Sequence, residues 1–210
     1  KENNIKVFEP AVITDEFIED VKKIKPELFV IAAYAKIIPE KLIAVPILGV
    51  LGVHPSLLPK HRGASPIQSA ILSGDTETGV SIYRVDEKVD HGPVYARATR
   101  SMATNEMYSS LIGRLAKLGG EMICDVLPKV FSGEILPETQ NEELATFTKK
   151  FKTEDAFISE EALSGALSGS NKIEAELADK MIRALNPEPG CWTFRNSKRV
   201  KLLESEFSDG

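Results

Sequence analysis

An α/β fold on an open, mostly parallel sheet is what this sequence predicts, and three observations carry the prediction. Strand-like and helix-like segments alternate from Ile13 onward. Leu28-Phe29-Val30-Ile31-Ala32-Ala33 is a continuous apolar run, the pattern of a strand covered on both faces. The order strand, helix, strand, helix, strand calls for right-handed crossovers that lay the strands side by side. In such sheets ligands bind beyond the carboxyl ends of the strands, so residues just past a strand are the first candidates for chemistry.

Each element has a local reason. Thr14 can cap a helix whose first turn holds Asp15 and Glu16, with Ile13 stapled to Ile18 and Pro26 ending it. Phe17, Val21 and Ile24 share one face of that helix. After the first strand, Pro39 suits the first turn of a short helix reaching Ala44. Gly49 to Val53 is a second apolar strand, and it ends at His54. A long loop, Pro55 to Ser65, leads to a helix opened by Pro66 and closed by Gly74. Val80 to Val85 alternates as a strand with one face toward water. Asp86 to Pro93 is a charged, Gly-containing turn, and Val94 to Thr99 is the next strand. From about Asn105 to Phe131, Met107, Leu111, Leu115, Leu118 and Met122 recur at helical spacing as core positions, with Gly119-Gly120 as a break or a close-packing point.

After Phe147 the texture changes. Ser164 to Asn171 reads as a linker, Ile173 to Leu185 as a helix stopped before Pro187. Cys191-Trp192-Thr193-Phe194 and Val200-Lys201-Leu202-Leu203 flank the turn Arg195-Asn196-Ser197-Lys198 as a hairpin. The organisation expected is a main domain over 1–150, a linker and connecting helix over 151–189, and the beginning of another domain over 190–210. The start at Lys1 and the stop soon after a strand-like run suggest truncation at both ends.

Composition narrows the function classes. The 210 residues are 42% hydrophobic and 27% charged, enough for a sizeable core and too structured for wholesale disorder. A net charge of −5 argues against a broadly basic nucleic-acid binder, while local basic patches stay open. No apolar run approaches the roughly 18 residues that cross a bilayer, and no secretory leader is read. Cys124 and Cys191 fit no metal spacing and are expected to be buried free thiols in a reducing compartment. There is no Walker loop and no G-x-G-x-x-G.

Among residues that could carry chemistry, His54 stands first, at a strand end, with Asp90 in the later Gly-Pro turn. Together they make an acid/base pair in which the carboxylate fixes the tautomer; the other reading is a histidine held structurally by its Pro-rich loop. His61 and His91 read as solvent-facing, and no metal site is expected. Lys60-His61-Arg62 is either a solvated loop or an attractor of phosphate or carboxylate.

Several of these motifs, in order, resemble the folate-dependent formyltransferases. Val53-His54-Pro55-Ser56-Leu57-Leu58-Pro59 resembles the family histidine motif, and Asp86-Glu87-Lys88-Val89-Asp90-His91-Gly92-Pro93 its aspartate loop. Ala33-Tyr34-Ala35-Lys36-Ile37-Ile38-Pro39 is similar to its folate-side strand end. Arg62-Gly63-Ala64-Ser65-Pro66-Ile67-Gln68, Glu77-Thr78-Gly79-Val80 and Asn186-Pro187-Glu188-Pro189-Gly190-Cys191-Trp192 resemble the branch that formylates methionyl-tRNA.

That resemblance implies a Rossmann-like formyltransferase domain followed by the start of a small β-barrel. It implies transfer of a formyl group from 10-formyltetrahydrofolate to the amino group of methionyl initiator tRNA, by a monomer in a bacterial or organellar cytoplasm. His54 and Asp90 would be catalytic. Ala33, Tyr34, Ile37, Ser56, Leu57, Leu58, Pro59, Val85, Asp86 and Val89 would line the folate site, largely through main-chain groups. The family places an Asn two residues before the histidine, donating to the developing oxyanion; here that position is Gly52. Losing one such donor typically lowers the rate about 10²–10³-fold. Gly52 leaves room for water or a neighbouring side chain, and Gly52→Asn is expected to raise transfer. The family's first strand and tRNA-contacting basic loop are expected before Lys1, and most of the barrel after Gly210. Two other functions stay open: a formyltransferase acting on an amino sugar nucleotide, and a non-catalytic folate-binding relative.

Overall fold

The computed structural model describes residues 5, 7–34 and 38–206. Its centre is a four-stranded sheet in the order β1 (Phe29–Ala32), β2 (Val50–His54), β4 (Glu77–Arg84), β5 (Val94–Ser101). The α/β class is as expected, but the sheet is mixed. β1 and β2 are parallel, whereas β4 runs antiparallel to both β2 and β5. The reason lies in the connection. The loop after His54, the two-residue β3 (Arg62–Gly63) and the short α3 (Pro66–Ser73) stay at the carboxyl edge of β2. An eight-residue helix is about 12 Å long, and it hands the chain to β4 at that same edge, where Ser81 pairs with His54.

The two faces of the sheet are covered differently. On one face, Leu51, Val80 and Ile82, with Val53 beside them, meet Leu111, Leu115, Leu118 and Met122 of the 25-residue α4 (Tyr108–Ser132). Gly119 does not break that helix: a Cβ there would stand 2.8 Å from Val53 Cγ1, so the glycine lets helix and strand approach. Burial of these side chains is the main stabilising term, roughly 1.5–3 kcal/mol for each fully buried one. The opposite face carries Gly52, His54, Ser81 and Tyr83, and the loop from Pro55 to Pro59 folds over it. Ser81 Oγ accepts from Leu58 N–H at 3.0 Å and donates to Ser56 O at 2.7 Å. That cover buries β4 from Thr78 through Tyr83, correcting the expectation of a water-facing side.

At the β1 edge the packing thins. α1 (Asp15–Ile24), capped by Thr14 as expected, and α2 (Glu40–Ile43) form a small separate cluster of Ile18, Val21 and Leu42, against which Phe29 packs. Val30 lies beside Leu51 in register, yet it is 44% exposed. β1 is therefore not covered on both faces.

After α4 the chain returns across the sheet's loop-covered side. Glu138 bridges to Val94, and β6 (Phe147–Thr148) pairs with β3. The segment read as a linker is helical: α5 (Glu160–Ser168) has Ser159 as its cap and Gly169 as its left-handed terminus, and it packs on α6 (Lys172–Leu185). Small Ser, Ala and Gly residues permit that approach as readily as they suit a flexible linker. β7 (Trp192–Arg195) and β8 (Lys198–Lys201) form the expected hairpin, with Asn196 and Ser197 both at positive φ. Two left-handed residues match the twist of a two-residue hairpin. Cys191 is buried in the main core, its thiol pushed up to about 12 by burial, whereas Cys124 is exposed on α4, contrary to expectation. Among the described residues no helix is long and apolar enough to cross a membrane.

Candidate active site

His54 is the last residue of β2, 6% exposed, on the loop-covered face. Its Nε2 lies 3.0 Å from His61 O. A carbonyl only accepts, so Nε2 carries the proton and Nδ1 keeps its lone pair. Nδ1 stands 3.6 Å from Asp90 Oδ2, inside one-water reach and at ion-pair distance when the ring is protonated. Burial holds the His54 pKa below the ordinary histidine value, against the pull of the Asp90 carboxylate. The ring is therefore neutral at pH 7, a base facing a carboxylate.

Asp90 is fixed from several sides. It adopts a left-handed conformation, φ 49°, which Asp tolerates better than most residues. Its Oδ2 accepts from Gly63 N–H at 2.7 Å and its Oδ1 from Tyr83 Oη at 2.6 Å. Gln140 Nε2 donates to Asp90 O and Gly92 O, at 2.9 and 2.7 Å, and so holds the turn itself. Arg62, 1% exposed, donates to Gln140 Oε1 and to both oxygens of Glu142, whose pKa its hydrogen bonds lower. Gly63 has φ 110°, and a Cβ there would stand 2.6 Å from Thr148 O, so this amide reaches Asp90 only with glycine in place.

The structure thus brings His54, Asp90 and Gly52 together. The space beside Gly52 is not open: a Cβ there would stand 2.2 Å from Tyr83 Cε1. Lys60-His61-Arg62 is not a free basic cluster, because Arg62 is committed to Gln140 and Glu142 and His61 Nε2 lies 2.7 Å from Asp75 Oδ2. Nor do His61 and His91 face solvent freely, since His91 Nδ1 lies 2.6 Å from Asp86 Oδ2.

The expected folate-side residues divide. Ser56 and Leu58 are buried: Ser56 Oγ donates to Lys60 O, and Leu58 packs with Tyr83 and Val94. Val85 packs on that same cluster, and its N–H donates to Val50 O. Leu57 and Pro59 are half-buried in the loop. Ala33, at φ 50°, Tyr34 and Val89 are exposed. Ile37 lies outside the described residues. Asp86 lines a cavity of about 320 Å³ with Glu40, Ile43, Ala44, Glu87, Lys88 and His91, between α2 and the Asp90 turn. Tyr83, Gly63 and Gln140 were not anticipated as site residues. The glycine inside Arg62-Gly63-Ala64 was the one local signal.

Residues 2–127 match the model of the family described as formyl transferase, and residues 172–210 that of the formyl transferase C-terminal domain. The chain belongs to the formyl transferase family. It is 38% identical over 207 residues to the methionyl-tRNA formyltransferase of Dictyoglomus turgidum, covering 98% of this chain and 62% of that protein. The chain thus spans less than two thirds of the length of that curated relative. In fold it is similar to HypX from Aquifex aeolicus, solved with tetrahydrofolic acid, at TM-score 0.73 and 21% identity over 89% of this chain and 30% of that one. It is also similar to the methionyl-tRNA formyltransferase of Clostridium thermocellum, at TM-score 0.67 and 23% identity over 95% of this chain and 81% of that one. Within the formyl transferase match lie β2, the loop after it, β4 and the Asp90 turn, so His54, Gly63, Tyr83 and Asp90 all belong to it. Gln140 and Glu142 lie beyond it, yet they hold it in shape.

Proposed function

We propose that this chain carries the formyl-transfer site of a methionyl-tRNA formyltransferase, moving a formyl group from 10-formyltetrahydrofolate to the amino group of methionyl initiator tRNA. The observation that carries the reading is the neutral, buried His54 facing Asp90 at 3.6 Å within a chain of this family. The likeness to curated methionyl-tRNA formyltransferases supports the choice of acceptor.

The reaction forms a bond from the amine nitrogen to the formyl carbon and breaks the bond from that carbon to the folate nitrogen. The attacking amine loses one proton and the leaving nitrogen gains one. His54 Nδ1 takes up the first as its lone pair is free, and the imidazolium so formed is held by Asp90 until it returns the proton to the leaving group. His61 O, by fixing Nε2–H, keeps the ring in that tautomer. The cavity between α2 and the Asp90 turn supports a folate-side entry, with Asp86 and Lys88 at its wall.

The test is turnover by the full protein that contains this chain, with initiator methionyl-tRNA and 10-formyltetrahydrofolate. Formyl-methionyl-tRNA is the expected product. Transfer to an amino sugar nucleotide and not to the tRNA would overturn the acceptor; folate binding without any turnover would make the protein a non-catalytic relative.

A further inference from the structure

Gly52 on β2 faces Tyr83 on β4 across an antiparallel pair. Residues directly opposite project to the same face and share its space. Here one partner has no side chain, and the other lies across the gap. A Cβ on Gly52 would stand 2.2 Å from Tyr83 Cε1, 2.6 Å from Cζ and 2.9 Å from the hydroxyl oxygen. The phenol therefore occupies the volume that a side chain at 52 would need.

Its hydroxyl has a use there. Tyr83 is 8% exposed, and its Oη donates to Asp90 Oδ1 at 2.6 Å. Its ring stands edge-on to the His54 imidazole, centroids 6.4 Å apart and planes at 85°. Burial and the adjacent carboxylate push the phenol pKa well above its usual value, so the donor proton stays in place. A phenol has one proton, and Asp90 receives it. Tyr83 thus acts through Asp90 and not on a reacting atom. With Gly63 N–H on Oδ2, the two donors hold both oxygens of the carboxylate and turn Oδ2 toward His54 Nδ1.

We propose that Gly52 and Tyr83 form a matched exchange: Tyr83 is the positioning residue that aims Asp90 at His54, and the glycine is what admits it. The inference rests on the His54–Asp90 reading and changes the expectation for position 52. An Asn placed there against the intact tyrosine displaces the phenol before it can donate to anything.

The experiment follows the His54 titration by NMR in the full chain. In Tyr83→Phe, Oδ1 loses its donor, the carboxylate turns toward water, and His54 loses attraction that offsets its burial. Its midpoint is expected to fall by about half a pH unit or more. Gly52→Asn alone should give the same fall, because it evicts the phenol. Gly52→Asn/Tyr83→Ala should recover the parent midpoint, since the amide then reaches Asp90 through the vacated space. An unchanged or raised His54 midpoint in Tyr83→Phe overturns the positioning role. Additive losses in the double variant overturn the exchange. If Tyr83→Phe does not fold, Gly52→Ala supplies the same test with the phenol present but pushed off Asp90. The titration needs no turnover, so the expected shifts together with no formyl transfer by the full protein refute the proposed function and leave this inference standing.

Discussion

On one face of the central strands, Leu51, Val53, Val80 and Ile82 meet α4 through carbon atoms; on the other, Gly52, His54, Ser81 and Tyr83 meet loops through hydrogen bonds and ring edges. These are alternate residues of the same two strands, so period-two alternation divides the work residue by residue. The first face excludes water and is indifferent to direction. The second depends on donors and acceptors placed to within a few tenths of an ångström. A substitution should therefore report its face: loss of stability on one, loss of chemistry on the other.

The largest effect expected is on the loop-covered face. His54→Gln should lower kcat about 10²–10⁴-fold, the usual range for removing a positioned acid/base, in a turnover assay of the full protein. Circular dichroism should show the fold retained. On the α4 face, Leu115→Ala should cost about 3 kcal/mol of unfolding free energy, read by urea titration, with kcat per folded molecule unchanged. Leu115 is 1% exposed. If it lowered kcat as well, the division between faces would fail.

A smaller effect ties the faces together through pH. The folded-state pKa of His54 lies below its ordinary value of 6.5. Between the two values the unfolded chain binds a proton that the folded chain refuses, so unfolding gains as pH falls. Stability should decline as pH drops below 6.5, by up to about 1.4 kcal/mol per pH unit. His54→Gln should flatten that slope when urea midpoints are compared at pH 7 and pH 5. The smallest effect belongs to the β1 edge. Val30→Thr should change stability by less than about 0.5 kcal/mol, because the side chain is already half in water.

The division also explains what was legible in the sequence. His54 and Asp90 stand in local motifs at a strand end and a turn, and short-range pattern was enough to single them out. Tyr83 looked like one residue of an alternating strand. Its role comes from standing opposite a glycine 31 positions earlier, and cross-strand register is not written in either segment. Gly63 and Gln140 reach Asp90 across 27 and 50 residues, and Ser164 to Asn171 looked like a linker because small residues serve a close helix contact equally well. The strand direction of β4 was missed because a helix between two strands usually means a crossover; here α3 is too short and stays at one edge.

The strap formed by Glu138 to Thr148 bears on how the site comes into being. Gln140 holds the Asp90 turn, Glu142 ties down Arg62, and Thr146 Oγ1 accepts from His61 N–H. On a ribosome, β2 with His54 and the turn with Asp90 are made well before any of these. At about 5–20 residues per second, the nascent chain spends several seconds with His54 and Asp90 made but unbraced. Completion of the site is thus a late event in synthesis, closed by a segment made only after all four strands of the central sheet and α4.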